Sequence, residues 1–505
     1  MAYIQAASTP AIIVLIVVIV FVSPNYGSWL ESYTDRNQTK IYRVYTGPLA
    51  HLPGPAISKW TGLVLQRHLF AGDRPRYVQN LHKKYGPIVR ISPDELDVSD
   101  SAAAKAIHKV ASRFYKGRFY EHIGHRSPKT LFSSTDPQFH AYRRRLLGGP
   151  MSETSIRQHE SAVTQKVKLC IDQMTREAES RGCIDVFKWW CFLATDTIGE
   201  LSFGESFRML EKGEKSQYSL DLEKVSTLMI IRTTFPFLSR VAEYVPLPYF
   251  KQAAQCGKRM GGYTAESIQR YKKHVEIHGD NVKPTLFTNL INKGHHEGSL
   301  TEAEIRLEAG GYIVAGSDTS AISLTYLVWA VCKNHYIRES LVAEIATLQD
   351  DFTDEDLRLL SYTRRVIDET LRLYPAVPGA LPRAVPPEGA KLVNHFIPGG
   401  VTVSTQVYSL HRDPEIFPNP ESFDPDRWIN PTKEMKESFM PFGGGSRTCI
   451  GMHLARMELR LATAHFFRRF TSPKVSSKEG FTDDDMYQHM YFLVSPKGHR
   501  CLIDN

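Results

Sequence analysis

Cys449 ends the run Phe442-Gly-Gly-Gly-Ser-Arg447-Thr-Cys449 and is followed by Ile450-Gly451, and its sulfur is the atom in this chain best placed to ligate a soft or borderline metal. Gly443, Gly444 and Gly445 let the backbone bend close to a flat object. Downstream, Leu454, Met457, Leu461 and Ala464 recur at helical spacing, and Arg468 and Arg469 lie near the far end, where cations suit the helix dipole. A helix opening at Cys449 supplies unpaired N–H groups and partial positive charge, which favour thiolate over thiol. Arg447 can meet an anionic group at the rim of the same object. Two plainer readings compete: a lone cysteine as a small buried hydrophobe, and a glycine loop that cradles phosphate. The second fails in detail, because no Gly-Lys-Ser/Thr follows and no Gly-x-Gly-x-x-Gly register closes.

A second chemical group is Ala315-Gly316-Ser317-Asp318-Thr319-Ser320. It falls within a long helix that Thr301-x-x-Glu304 opens as a capping box and that runs through at least Val331. Gly316 weakens the helix locally, and the Thr319 hydroxyl can bond back to the Ala315 carbonyl. An acid beside an alcohol, among small residues, suits a wet notch that delivers protons. A polar helix kink without chemistry is the alternative. Elsewhere, His140 and Arg144 share a helix face, as do Glu369 and Arg372, and such spacing taken alone reads as solvated surface. The second helix must end near Tyr374, because Pro375 disfavours helix before it. Leu52-Pro53-Gly54-Pro55 makes a stiff turn, and Tyr85 to Pro93 reads as a turn followed by a short strand. The tail from Met486 to Leu502 reads as a hairpin around Ser495-Pro496-Lys497-Gly498.

The ten residues from Phe442 to Gly451 match every fixed position of Phe-x-x-Gly-x-Arg-x-Cys-x-Gly and resemble the haem-ligating signature of the cytochrome P450 family. The resemblance extends from the hinge at Leu52 to the tail, with the motifs in family order, and is nearest to membrane-bound filamentous-fungal biosynthetic members. It implies a mainly α fold with a smaller β-rich side, and one catalytic body over residues 51–505. Cys449 would be the axial thiolate of haem b, with Phe442 and Gly451 in its loop. Arg447, Arg383, Arg144 and His140 would hold the cofactor's propionates, with His140 standing where the family more commonly has Trp. Asp318 and Thr319 would be the catalytic proton relay. Glu369, Arg372 and Arg427 would form a buried structural triad. Val377, Gly379 and Ala380 would line the substrate pocket, and the apolar region Phe187 to Tyr249, including Met229, Ile230, Ile231, Phe235, Phe237 and Leu238, would end in its roof. The tail hairpin would reach into the same pocket.

The chain's 505 residues carry a net charge of +8, with basic residues scattered apart from Arg143-Arg144-Arg145. That balance fits an anionic membrane surface or an acidic protein partner; without zinc spacing or an RNA-binding aromatic motif, nucleic acid ranks third and is not expected as a partner. Seven well-spaced cysteines, an odd count without Cys-x-x-Cys, fit a reducing compartment rather than a disulfide framework. Residues 1–30 hold no charge, and Ile4 to Val22 is close to the roughly 20 residues that cross a bilayer. Arg36 and Lys40 follow the run, which places the body on the cytoplasmic side. The expectation is an uncleaved single-pass anchor over 1–30, a linker over 31–50, and residence on the endoplasmic reticulum membrane. No dinucleotide fingerprint is present, so electrons are expected from an NADPH-dependent P450 reductase, with cytochrome b5 as a second donor. Arg143 and Arg145 are expected on the docking face. The substrate is expected to be a lipophilic small molecule, hydroxylated in a fungal secondary-metabolite pathway. Desaturation, epoxidation or coupling, and oxidation of a lipid, sterol or xenobiotic, stay open alternatives, beside an oxygen-independent haem isomerase or dehydratase and a non-enzymatic haem-binding membrane protein.

Overall fold

A computed structural model of the protein describes residues 41–42, 44–123, 129–224, 248–279, 284–288 and 300–505. The apolar run 1–30 lies outside them, as do Met229, Ile230, Ile231, Phe235, Phe237 and Leu238. No helix among the described residues is long and apolar enough to cross a membrane.

The β-rich side is assembled from distant parts of the chain. β1 (Ile88–Ser92) starts after the Gly86-Pro87 turn, as the sequence predicts, and pairs with β2 (Glu95–Val98). With β3 (Tyr115–Lys116), β4 (Arg383–Ala384) and β5 (Thr402–Ser404) these form a five-stranded sheet of order β1-β2-β5-β4-β3. The β2–β5 step is parallel and the others are antiparallel. Leu52, Ile88, Leu96, Val98 and Val403 pack together beneath this sheet, and Leu49 joins them. Leu49, and the equally buried Val44, belong to the packing of the body although both fall in the expected linker.

The larger, helical side has two long helices at its centre. α1 (Pro137–Gly148) starts with Pro at its first position, and the Asp136 side chain accepts from the Gln138 and Phe139 N–H groups. α2 (Glu160–Arg181), α3 (Val186–Phe203) and α4 (Pro248–His278) precede α5 (Glu302–Lys333), which opens on the expected Thr301/Glu304 capping box. Both α3 and α5 are apolar around most of their circumference, the pattern of helices buried on all sides. They approach so closely that a Cβ on Gly316 would sit 2.8 Å from Ile198 Cγ1. Close helix contact is therefore what Gly316 permits. α6 (Ser361–Leu373) ends at Tyr374, and α7 (Met452–Arg469) buries Leu454, Met457, Leu461 and Ala464. It begins at Met452, with Gly451 as its cap, so Cys449 lies just before the helix rather than in it.

The tail differs from its expected form. β6 (Gln488–Met490) pairs antiparallel with β7 (Val494–Pro496), so the chain reverses at Tyr491-Phe492-Leu493. Ser495 and Pro496 lie in the returning strand, and Lys497-Gly498 forms a second turn, tied to Tyr487 and Asp485 carbonyls at 2.9 and 2.8 Å. The residues with turn chemistry make the second turn, while the first is made by apolar side chains that face a cavity.

Candidate functional site

Two neighbouring devices fix the Cys449 loop. Gly445 has φ +59°, and a Cβ there would fall 1.9 Å from the His108 carbonyl oxygen, so only glycine fits. The Cys449 N–H donates to the Phe442 carbonyl at 2.8 Å, closing the loop on itself. Arg456 on α7 lies over the Phe442 ring at 5.4 Å. The sulfur opens into a cavity of about 2330 Å³ that runs between the sheet, α1, α5 and the tail. That volume exceeds the roughly 300–1,000 Å³ of an ordinary ligand pocket.

Burial raises the Cys449 thiol above its ordinary value, while a Gly451 N–H hydrogen bond and the Arg144 guanidinium pull it down. The helix start therefore does not by itself make a thiolate here. The sulfur lies deep in the protein but open to the cavity, and a metal ion bound there would displace the proton.

Every site residue expected from sequence borders this one cavity: Phe442, Arg447, Cys449, Gly451, His140, Arg144, Arg383, Asp318 and Thr319. Arg144 donates to the Thr448 carbonyl in the Cys449 loop. Among the described residues, buried Arg383 reaches with its side chain only His108 Nδ1, at 3.5 Å. One guanidinium nitrogen of Arg383 and one of Arg447 have no partner among the described residues. Burial and the adjacent Arg383 lower Arg447 to about 10, and burial with four surrounding cations lowers His140 to about 3, leaving it neutral. Val377, Gly379 and Ala380 also line the cavity.

Sequence reading missed a further cation. Antiparallel register sets Lys116 of β3 directly opposite Arg383 of β4, an arrangement that like charges ordinarily avoid. Lys116 is buried, and its ammonium is held well below its ordinary range by burial and by Arg383, Arg447 and Arg144. Its ammonium donates to the Leu131 and Phe132 carbonyls. No local signal marks a lone lysine in a two-residue strand, because its meaning comes from a partner far along the chain. Among the described residues, no ion pair joins Lys116, Arg144, Arg383 or Arg447 to an acid. The donor set of one sulfur and a rim of unpaired cations fits a flat, metal-bearing group with carboxylate arms.

On the α5 wall, the Thr319 hydroxyl donates to the Ala315 carbonyl at 2.8 Å, as its spacing predicts. Burial, then Glu223, raise the Asp318 carboxyl to about 6 against an opposing pull from Lys215. One position on, the Ser320 hydroxyl donates to Glu458 Oε2 of α7 at 2.5 Å, and burial lifts Glu458 to about 7.

Behind the loop, Glu369 is fully buried and bound by Arg372 at 2.8 and 2.9 Å and by Arg427 at 3.0 Å. The Trp428 indole and the Asp424 N–H complete its partners. A pair that reads as solvated surface from spacing alone is thus the centre of a closed network. Arg143 is a correction of the opposite sense: it is buried against Glu304 at the start of α5 and cannot reach a docking protein, whereas Arg145 is exposed.

Comparison with known proteins matches a cytochrome P450 domain over residues 52–502. The chain is 83% identical, over the full length of both, to cytochrome P450 monooxygenase tazI of Aspergillus terreus. It is 44% identical to cytochrome P450 monooxygenase orf2 of Aspergillus niger, over 92% of this chain and 95% of the relative. A more distant similarity, 28% over 89% of this chain and 86% of the relative, is to averantin hydroxylase of Dothistroma septosporum.

Proposed function

The chain belongs to the cytochrome P450 family and is a monooxygenase, and from that premise we propose that it hydroxylates a lipophilic intermediate of fungal secondary metabolism. The reading rests on one observation: the Cys449 sulfur and the Asp318–Thr319 pair open into the same cavity, rimmed by cations that lack acidic partners among the described residues. Haem b bound there would supply dioxygen activation and the transfer of one oxygen atom to substrate. Cys449 would ligate its iron, with the Gly451 N–H donating to the sulfur and moderating its donor strength. Arg144, Arg383, Arg447 and Lys116 would hold the carboxylate arms, and neutral His140 would donate an N–H to them. Phe442 would pack beside the ring.

Raised to about 6 by burial, the Asp318 carboxyl would take a proton from water and give it up again within a turnover. The Thr319 hydroxyl spends its own proton on Ala315, so its oxygen is left to accept a hydrogen bond from water and hold it in line. Val377, Gly379 and Ala380 keep the substrate side open by their small size. Electrons would come from a membrane-bound NADPH-dependent P450 reductase, with cytochrome b5 as a second donor. Its docking face would include Arg145, while residues 1–30 would anchor the chain in the endoplasmic reticulum membrane with the catalytic body on the cytoplasmic side.

Replacing Thr319 by Ala tests the relay. Haem content should match the parent protein, while NADPH consumption yields peroxide in place of product. A product yield equal to the parent's would remove Thr319 from the relay. Microsomes holding the protein and a reductase, given candidate intermediates and followed by product mass, test the reaction itself; a product without one added oxygen atom contradicts hydroxylation.

A further inference from the structure

We propose that Phe119, Tyr120, Phe132 and Phe492 make this cavity selective for a flat aromatic substrate, an inference that rests on the monooxygenase reading and adds the class of molecule. The rings come from three places in the chain. Phe119 and Tyr120 belong to the short helix Phe119–Ile123, Phe132 to the segment before α1, and Phe492 to the tail reversal. They close a circuit. Ring centroids lie 5.4 Å apart for Phe119–Tyr120, 5.6 Å for Tyr120–Phe132, 6.1 Å for Phe132–Phe492 and 6.4 Å for Phe492–Phe119. The first three pairs meet at 75–81° and the last at 29°. All four residues border the cavity.

Rings meeting edge to face present positive edges beside negative faces. An inserted aromatic ring finds a complementary partner for both its own edge and its own face. A saturated ring of the same size gains only apolar contact there.

The circuit is braced. Phe132 is 45% exposed, although Leu131 and Tyr120 beside it are buried. Its backbone is fixed on both sides, since the Leu131 N–H donates to Glu308 at 2.8 Å and Lys116 Nζ donates to the Phe132 carbonyl at 2.5 Å. The Lys116 ammonium also lies 4.7 and 5.0 Å from the Tyr120 and Phe132 ring centroids, which fixes how the two rings lie. A large aromatic side chain held open to a cavity by a buried cation and a buried acid is a contact surface. On α5, Gly311 and Ala315 precede Thr319 on one helix face and border the same cavity. A Cβ on Gly311 would meet nothing within 4 Å, so this wall offers a smooth strip leading to the Thr319 hydroxyl.

The test uses the haem-loaded protein, 2-naphthol and decahydro-2-naphthol, which share a carbon skeleton and differ in planarity and π electrons. Binding is read from the shift of the Soret band on titration. The naphthol should bind about tenfold more tightly. The Phe132→Leu/Phe492→Leu variant keeps apolar volume and should lose that preference. If it does not fold, Phe132→Leu alone, at the most exposed ring, should lose part of it. Failure of the naphthol to bind, equal affinities in the parent protein, or an unchanged preference in the variants would each overturn the proposal. The carbon monoxide spectrum is recorded on the same samples. With its thiolate signature intact, a missing preference sinks this inference alone; without it, the reading of the cavity falls too.

Discussion

Behind the Cys449 loop, Glu369 accepts hydrogen bonds from Arg372, Arg427, Trp428 and the Asp424 N–H, and Arg372 spends its remaining donors on the carbonyls of His411, Pro420 and Ser422. In front of it, Lys116, Arg144, Arg383 and Arg447 face one cavity, where burial lowers the proton affinity of all four and the arginines lower that of Lys116 further, with no acid paired to any of them among the described residues. Both sets hold charges that are buried or half-buried, and burial is costly for either. The first finds its partners within the chain, one carboxylate against two guanidiniums whose other donors meet backbone carbonyls, and so serves the fold. The second is left positive, which stabilises the protein only when a ligand carries the opposite charge. Matched buried charge reads as architecture, and unmatched buried charge reads as a binding site.

That contrast can be broken most severely at Glu369. Glu369→Ala leaves Arg372 and Arg427 uncompensated, at a cost of about 3–5 kcal/mol. Soluble, haem-loaded protein should not be recovered; a normal ratio of haem to protein would refute the structural assignment.

Glu458 sits between the two cases, with a hydroxyl as its partner rather than a cation. Its folded value near 7 lies above the ordinary carboxylate value of 4.5, so between these two the folded state keeps a proton that the unfolded state has lost. Its contribution to stability therefore falls as pH rises through this window, by about 3 kcal/mol at most. Glu458→Gln is neutral throughout. It should melt at a higher temperature than the parent near about pH 8 and at a similar one near about pH 4. A difference independent of pH would contradict the burial argument.

On the cavity side, Arg383→Leu/Arg447→Leu removes charge that has no acid to lose. The apoprotein should melt no lower than the parent, while haem affinity drops about tenfold per cation removed. A less stable apoprotein with unchanged haem affinity would reverse the comparison.

What the sequence disclosed follows the range of the interactions. The Thr301/Glu304 capping box, the Thr319 bond to Ala315 and the end of α6 at Tyr374 each depend on residues a few positions apart, and each forms as expected. The Cys449 loop was legible because many residue types are constrained within ten positions. Lys116 was not, since its role comes from a strand register linking it to Arg383. Phe132 and Phe492 were hidden for the same reason: only the fold brings them together. Arg143 looked solvated because helical spacing cannot say which side of α1 meets α5. In the tail, Ser495-Pro496-Lys497-Gly498 promised the reversal, but the cavity draws Tyr491, Phe492 and Leu493 into that position instead.

The account turns on a sulfur anion from Cys449 bound to porphyrin iron. Reduced, haem-loaded protein exposed to carbon monoxide should show the strongly red-shifted Soret band of thiolate ligation, and Cys449→Ser should abolish it. Folded, haem-containing parent protein without that band, or a serine variant that keeps it, would contradict the claim.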